Sequence, residues 1–296
     1  MKALIFGANG QDGHYLARLL QKRGIEAIGI SRNGPWVRGS VACMETVEQL
    51  VKIHVPDMIF HLAANSTTAH EAIRENHETI ALGTLNILES VQRWSKDSKV
   101  FITGSGLQFV NLKRPIAETD AFAENNPYTI VRNYSVNLSR YFRGLGFQVY
   151  VGYLFHHESP RRGDLHISQK IVRAVQRVRN GSQETIEIGD LAVRKEWTFA
   201  GDVAEGILAL MTQDSVFEAT IGSGRVFSIQ DWLEQCFKEI GKDWRAFVKV
   251  KPGFHPEYEL LVSNPMTINS LGWEPKTTFA ELAQMMIESK VPPPAQ

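Results

Sequence analysis

The stretch Ile5-Phe6-Gly7-Ala8-Asn9-Gly10-Gln11-Asp12-Gly13, "IFGANGQDG", decides how this chain reads. The apolar run Ala3–Phe6 before it has the length of a buried strand. "DGHYLARLLQKRG" after it puts Tyr15, Leu16, Leu19 and Leu20 on one helical face, with Gly24 as the stop. Gly7, Gly10 and Gly13 therefore occupy a strand-to-helix turn in the spacing GxxGxxG. Glycines there let the backbone approach a pyrophosphate, which the helix N-terminus then holds. A bound dinucleotide is the expectation.

Outward from this turn, Glu26–Ile30 reads as a second strand ending in Ser31-Arg32-Asn33. An acidic residue at that point would bond a ribose 2′-hydroxyl. Ser31 and Arg32 instead suit a 2′-phosphate, so NADP(H) is expected in preference to NAD(H). Asp57–Ala63, Lys99–Thr103 and Phe147–Phe155 read as further strands. Helical patterns lie between them, near Glu45–Ile53, Thr79–Trp94 and Pro127–Arg143. This alternation predicts an α/β fold, a Rossmann-type doubly wound parallel sheet. The later chain is less regular. Helices are expected over Ser168–Arg179, over Asp202–Met211 and after Ser228, an N-cap residue with Asp231 at N3. Residues 1–153 with 190–222 are expected to form the dinucleotide-binding domain. Residues 154–189 with 223–296 would form a smaller, discontinuous substrate-binding lobe.

The bulk properties exclude several classes. The 296 residues suit one large α/β domain or a domain and a half, and 43% hydrophobic content is ordinary for a globular chain. Net charge is +0, from 32 basic and 32 acidic side chains, so no nucleic-acid partner is expected. No run approaches the roughly 20 apolar residues of a membrane span, and the N-terminal run is too short and glycine-broken for a signal peptide. Cys43 and Cys236 have no metal spacing, and no His or carboxylate set completes a metal site. A soluble, cytoplasmic protein without a metal is expected.

"NPYTIVR", Asn126–Arg132, sets a phenol and a cation one helical turn apart. A phenol with pKa near 10 is a poor base at neutral pH, and a cation at i+4 favours its phenolate. Tyr128 and Arg132 are thus candidates for proton transfer. Alone, the pair would read as helix surface; the glycine loop upstream gives it a cofactor.

With these motifs in view, the chain resembles the extended short-chain dehydrogenase/reductases, the NAD-dependent epimerase/dehydratase superfamily. Within it the chain is similar to the GDP-mannose 4,6-dehydratases. "GANGQDGHYLARLL", "PDMIFHLAANS" (Pro56–Ser66), "YLFHHESPRRGD" (Tyr153–Asp164), "GDLAVRKEWTFAGDVAEGI" and "LGWEPKTTFAELAQMM" carry the resemblance over nearly the whole length. It implies a nucleotide-sugar substrate and catalysis by Tyr128, Arg132 and Ser105. It implies cofactor contacts from Gly7, Gly10, Gln11, Gly13, Ser31, Arg32, Leu62, Ala63, Ala64, Tyr128 and Arg132. Substrate contacts would come from Asn65, Ser66, His156, Glu158, Arg161, Lys170, Lys195 and His255. It also implies a homodimer built on two helices per subunit. Ile80, Leu85, Leu88, Val91, Val131, Leu138 and Phe142 are candidates for that face, and equally for core.

The resemblance also marks departures. Arg132 stands where the family has Lys, and Leu107, in "GSGLQF", stands where it has the Glu that assists elimination. Glu71, Asp120 and His157 are candidate replacement acids. Three readings stay open: oxidation and reduction at sugar C4 of the 4,6-dehydratase type, a C4 reductase or epimerase, and a cofactor- or sugar-nucleotide-binding protein with impaired catalysis.

Overall fold

Seven strands lie parallel in one sheet: β1 (Lys2–Phe6), β2 (Glu26–Ser31), β3 (Val37–Arg38), β4 (Met58–His61), β5 (Lys99–Ser105), β6 (Val149–Leu154) and β7 (Glu218–Ile221). Their spatial order is β3-β2-β1-β4-β5-β6-β7. The computed structural model describes residues 1–65 and 67–289. Ser66 and the proline-rich tail therefore lie outside the described residues.

The sheet is covered on both faces, as a parallel sheet of apolar strands requires. Along β1, Ile5 faces one layer and Leu4 and Phe6 the other, the period of two that a pleated strand imposes. The first layer holds the helices Gln11–Lys22 and Ala200–Met211, through Leu16, Leu20, Ile207 and Met211. The second holds Met44–His54, Gly83–Trp94 and Pro127–Gly144, through Val47, Leu88, Val91, Val136 and Phe142. The residues Ile80, Leu88, Val91, Val131 and Phe142 are thus buried within the chain itself. A different set of apolar residues on Pro127–Gly144 faces outward: Ile130, Tyr134 and Tyr141.

The predicted helix over Thr79–Trp94 is regular only from Gly83. Before it, His77–Leu82 winds as a wider π-type turn. The Ile80 carbonyl accepts from Thr84 Oγ1 at 2.7 Å and Ser135 Oγ at 3.2 Å. Helix Pro127–Gly144 starts cleanly. Pro127 sits at its first position, and Asn126 Oδ1 accepts from the Thr129 amide at 3.0 Å.

A second apolar core lies among the helices Ile167–Arg179, Ile229–Lys238 and Phe279–Glu288, including Ile171, Trp232, Phe237 and Leu282. Ser228 caps Ile229–Lys238 with Asp231 at its third position, as expected. Short strands Arg194–Glu196, Val226–Ser228 and Leu260–Leu261 pair beside this core. The buried Glu196 carboxylate joins them to neighbouring loops. It accepts from Ser263 N and Oγ at 2.6 Å and from the Ser223 and Gly224 amides.

Candidate active site

Strand order reverses between β1 and β4, so the loops leaving those two strands part and leave a crevice at their carboxyl ends. A cleft of about 690 Å³ opens there. Gly7, Gly10, Gln11, Ser31, Arg32, Leu62, Ala63, Ala64 and Asn65 line it. Gly7 has φ +93°, and a Cβ there would stand 2.6 Å from the Ala63 amide nitrogen. A Cβ on Gly13 would meet the Gly7 carbonyl oxygen at 2.3 Å. Both positions therefore require glycine: the first for the turn, the second for the close approach of helix to strand. Bare backbone opens onto the helix N-terminus, and Arg161, whose buried Nε lacks a hydrogen-bond acceptor, adds positive charge to the wall. These residues fit a dinucleotide, whose pyrophosphate a helix N-terminus of bare backbone can hold. Gln11 also ties the glycine loop to a later segment: its Oε1 accepts from Ser159 Oγ at 2.8 Å.

Tyr128 and Arg132 are both buried on Pro127–Gly144. The Arg132 guanidinium lies over the Tyr128 ring, 5.1 Å from its centroid, and donates through Nη1 to the Thr103 carbonyl. Its Nε is buried without an acceptor. The same charge acts on His61: burial, then Arg132, pushes that imidazole down to about 4, so it is neutral. Tyr128 packs with Ile80, Ala81 and Val131, and Ala64 and Leu107 close the cluster. Ala64 lines the nucleotide cleft. Leu107 lines a second cleft of about 640 Å³ with Asn126, Glu257 and Tyr258. Tyr128 itself lines neither cleft; Ala64 and Leu107 pack against the buried cluster that holds it. Ser105 ends β5 beside it in sequence with Leu107, and its Oγ accepts from the Leu107 amide at 3.2 Å. Gln108 closes the same turn by accepting from the Ser105 amide at 2.8 Å.

None of the three candidate replacement acids belongs to this cluster. Asp120 is held bidentately by Arg114 at 2.9 and 3.0 Å. Glu71 is exposed on the turn after β4. His157 Nε2 bonds Asp12 Oδ1 at 2.7 Å and its Nδ1 bonds the Phe155 carbonyl. Burial opposes the charge on both members of that pair, but their attraction wins, so His157 is raised and Asp12 lowered. Among carboxylates, Glu124 and Glu257 line the second cleft. Burial raises the Glu257 pKa, against a contact from Thr68. Sequence reasoning passed over Glu257 because the loop that carries it is 150 residues from Leu107, with no local signal of their proximity.

A basic cluster forms beyond β6. His156 Nδ1 donates to the Glu196 carbonyl at 2.8 Å, and its Nε2 accepts from Lys195 Nζ at 2.8 Å. Burial, reinforced by Lys195, pushes His156 down to about 3, consistent with this neutral tautomer. Glu158 is fully buried, with Arg162 Nε at 3.6 Å. Burial opposes its charge, but the Arg162 cation, with Lys195, outweighs it and holds the pKa low. Among the described residues neither of its oxygens has a hydrogen-bond donor, although His156 Nε2 stands 2.9 Å from one. Arg161 lies in the nucleotide cleft. Lys170 and His255 are exposed, and neither lines a cleft described above.

The sequence model of the family described as GDP-mannose 4,6 dehydratase matches residues 4–286. The chain belongs to this family. Relatives include GDP-mannose 4,6 dehydratase 1 of Arabidopsis thaliana, 28% identical over 97% of this chain and 88% of the relative. GDP-mannose 4,6 dehydratase 2 of Caenorhabditis elegans is 29% identical over 98% and 88%. Two solved structures share the fold. One is the UDP-glucose 4-epimerase of Thermus thermophilus in complex with NAD, with TM-score 0.82 and 22% identity over 97% of this chain and 98% of that one. The other is RMD from Pseudomonas aeruginosa complexed with NADPH, with TM-score 0.85 and 19% identity over 97% and 96%. Both of these neighbours are solved with a nicotinamide cofactor, NAD in the first and NADPH in the second. No helix among the described residues is long and apolar enough to cross a membrane.

Proposed function

We propose that this member of the GDP-mannose 4,6 dehydratase family carries out oxidation or reduction at C4 of a nucleotide-linked sugar, with NADP(H), and does not eliminate water. One observation carries the reading: Ala64 of the nucleotide cleft and Leu107 of the second cleft both pack against the buried cluster that holds Tyr128. A sugar in the second cleft would present its C4 hydroxyl to the phenol. Leu107 offers no proton-transferring group there, and general acid–base help is worth about 10²–10⁴ in rate. The nicotinamide, when bound, supplies the hydride acceptor or donor. Tyr128 Oη would exchange a proton with the C4 oxygen, the Arg132 cation would lie against the ring during that transfer, and the Ser105 hydroxyl would orient the same oxygen. Lys195, Arg161 and Arg162 supply charge for a diphosphate. Ser31 and Arg32 at the end of β2 support NADP(H).

A second reading, binding without turnover, is favoured by Arg132, whose guanidinium turns inward to the Thr103 carbonyl. The outward stripe Ile130, Tyr134 and Tyr141 supports a homodimer.

The test is a panel of GDP-, UDP- and dTDP-linked hexoses and 4-keto sugars with NADP⁺ or NADPH in heavy water. The C4 reading expects hydride transfer at C4, no deuterium at C5 and no loss of water by mass. Deuterium at C5 with water loss would establish dehydration. Binding of NADPH without turnover on any substrate would establish the second reading.

A further inference from the structure

The cation assigned to the cofactor 2′-phosphate already has a carboxylate partner. Arg32 Nη1 bonds Glu75 Oε1 at 3.0 Å, and the other carboxylate oxygen, Oε2, accepts from Asn65 Nδ2 at 2.8 Å. All three residues line the nucleotide cleft. They come from three separate segments: the end of β2, the loop after β4 and the short helix Ile73–Asn76. Glu75 therefore bridges the mouth of the cleft from the ribose-phosphate side to the β4 loop. The pair is solvent-accessible, with side-chain exposures of 66% for Arg32 and 40% for Glu75, so it can open at small cost.

We propose that Glu75 is a cofactor-specificity residue: it competes with the 2′-phosphate for Arg32 and moderates the preference for NADP(H) over NAD(H). This rests on the NADP(H) reading above. The argument is one of charge. A 2′-phosphate reaching Arg32 comes within a few ångströms of the Glu75 carboxylate and is repelled by it. NAD(H) ends in a neutral hydroxyl at that point and feels little of this. Arg32 must exchange a carboxylate for a phosphate, while Glu75 keeps its bond to Asn65. The carboxylate thus remains as a fixed negative post beside the site, discriminating against the more charged cofactor.

The test is calorimetric titration of the whole protein with NADPH, NADH and 2′,5′-ADP, using wild type, Glu75→Gln, Arg32→Ala and the double variant. Glutamine keeps the shape and a hydrogen-bonding amide without the charge. The expected result is that Glu75→Gln tightens NADPH and 2′,5′-ADP by about three- to tenfold and NADH by less than about twofold. In the Arg32→Ala background the same change should have a smaller effect, since the competition for Arg32 is gone and only the direct repulsion between Glu75 and the phosphate remains. Equal changes for NADPH and NADH, or none, would overturn the competition while leaving the NADP(H) reading intact, provided Arg32→Ala still weakens NADPH selectively. Wild type that prefers NADH, with Arg32→Ala indifferent to the phosphate, would overturn both.

Discussion

The guanidinium carbon of Arg132 lies 5.1 Å from the centre of the Tyr128 ring, while its Nη1 is bonded to the Thr103 carbonyl. The cation is therefore fixed against the face of the phenol by the end of β5. If this arrangement serves proton transfer, Tyr128→Phe lowers kcat by at least about 10²-fold, with cofactor affinity within about threefold of wild type. Arg132→Lys keeps the charge and stays within about tenfold of wild-type kcat, whereas Arg132→Met falls as far as Tyr128→Phe. Steady-state kinetics with parallel cofactor titrations check this. Full turnover by Tyr128→Phe would remove the phenol from the chemistry.

Leu107 and Tyr128 share one apolar cluster, so a carboxylate placed at 107 would stand beside the phenol. Leu107→Glu is expected to introduce proton exchange at C5 of a bound hexose, read as solvent deuterium in recovered substrate or product. It should also destabilise the fold by about 1–3 kcal/mol, because Leu107 is half-buried against apolar neighbours. A variant that takes up no deuterium while still transferring hydride at C4 would show that another group is missing besides this carboxylate.

Much of the scaffold is legible in the sequence, since its signals are local. The glycine spacing, the alternation of strand and helix, and the cap at Ser228 each depend on residues within a turn or two of one another. Strand and helix ends differ from the sequence expectation by a residue or two, as at Lys99–Ser105 and Ile167–Arg179. The π-type turn at His77–Leu82 was not legible: its carbonyl is satisfied by Ser135, 55 residues away. The site was half legible. Tyr128, Arg132 and the glycines announce themselves. Glu75 meets Arg32 across 43 residues, and Glu257 meets the Leu107 cleft through a loop of the later chain, so neither leaves a local pattern. Apolar periodicity on Pro127–Gly144 picked out Phe142 but left it open between core and dimer face; it is buried, and Tyr141 beside it is exposed.

That outward stripe leads to an assembly prediction. Ile130, Tyr134 and Tyr141 follow the spacing i, i+4, i+11 on one helix and are 52%, 46% and 61% exposed. A second copy of the same helix would cover them. Tyr134→Asp with Tyr141→Asp should convert a dimer into a monomer in sedimentation velocity, with circular dichroism unchanged, since both side chains are outside the core. A wild-type chain that sediments as a monomer at micromolar concentration would dispose of the dimer.

Lys195 gives a pH prediction with two opposite readouts. Burial, aided by Arg162 and opposed by Glu158, lowers its pKa from 10.5 to about 8. The folded protein therefore sheds this proton before the unfolded chain does. Between about pH 8 and 10.5 the unfolded state binds more protons, so this group's contribution makes stability rise with pH across that interval. Anion binding moves the other way: above about pH 8 the ammonium is lost, and affinity for a nucleoside diphosphate should fall about five- to tenfold from about pH 7 to about pH 9. Lys195→Arg keeps its charge and should flatten the affinity profile over that range. Calorimetric titration with GDP and UDP at stepped pH checks the binding arm, and urea unfolding at the same pH values checks the stability arm. Equal slopes for wild type and Lys195→Arg in the binding series would mean that the diphosphate lies elsewhere than on Lys195.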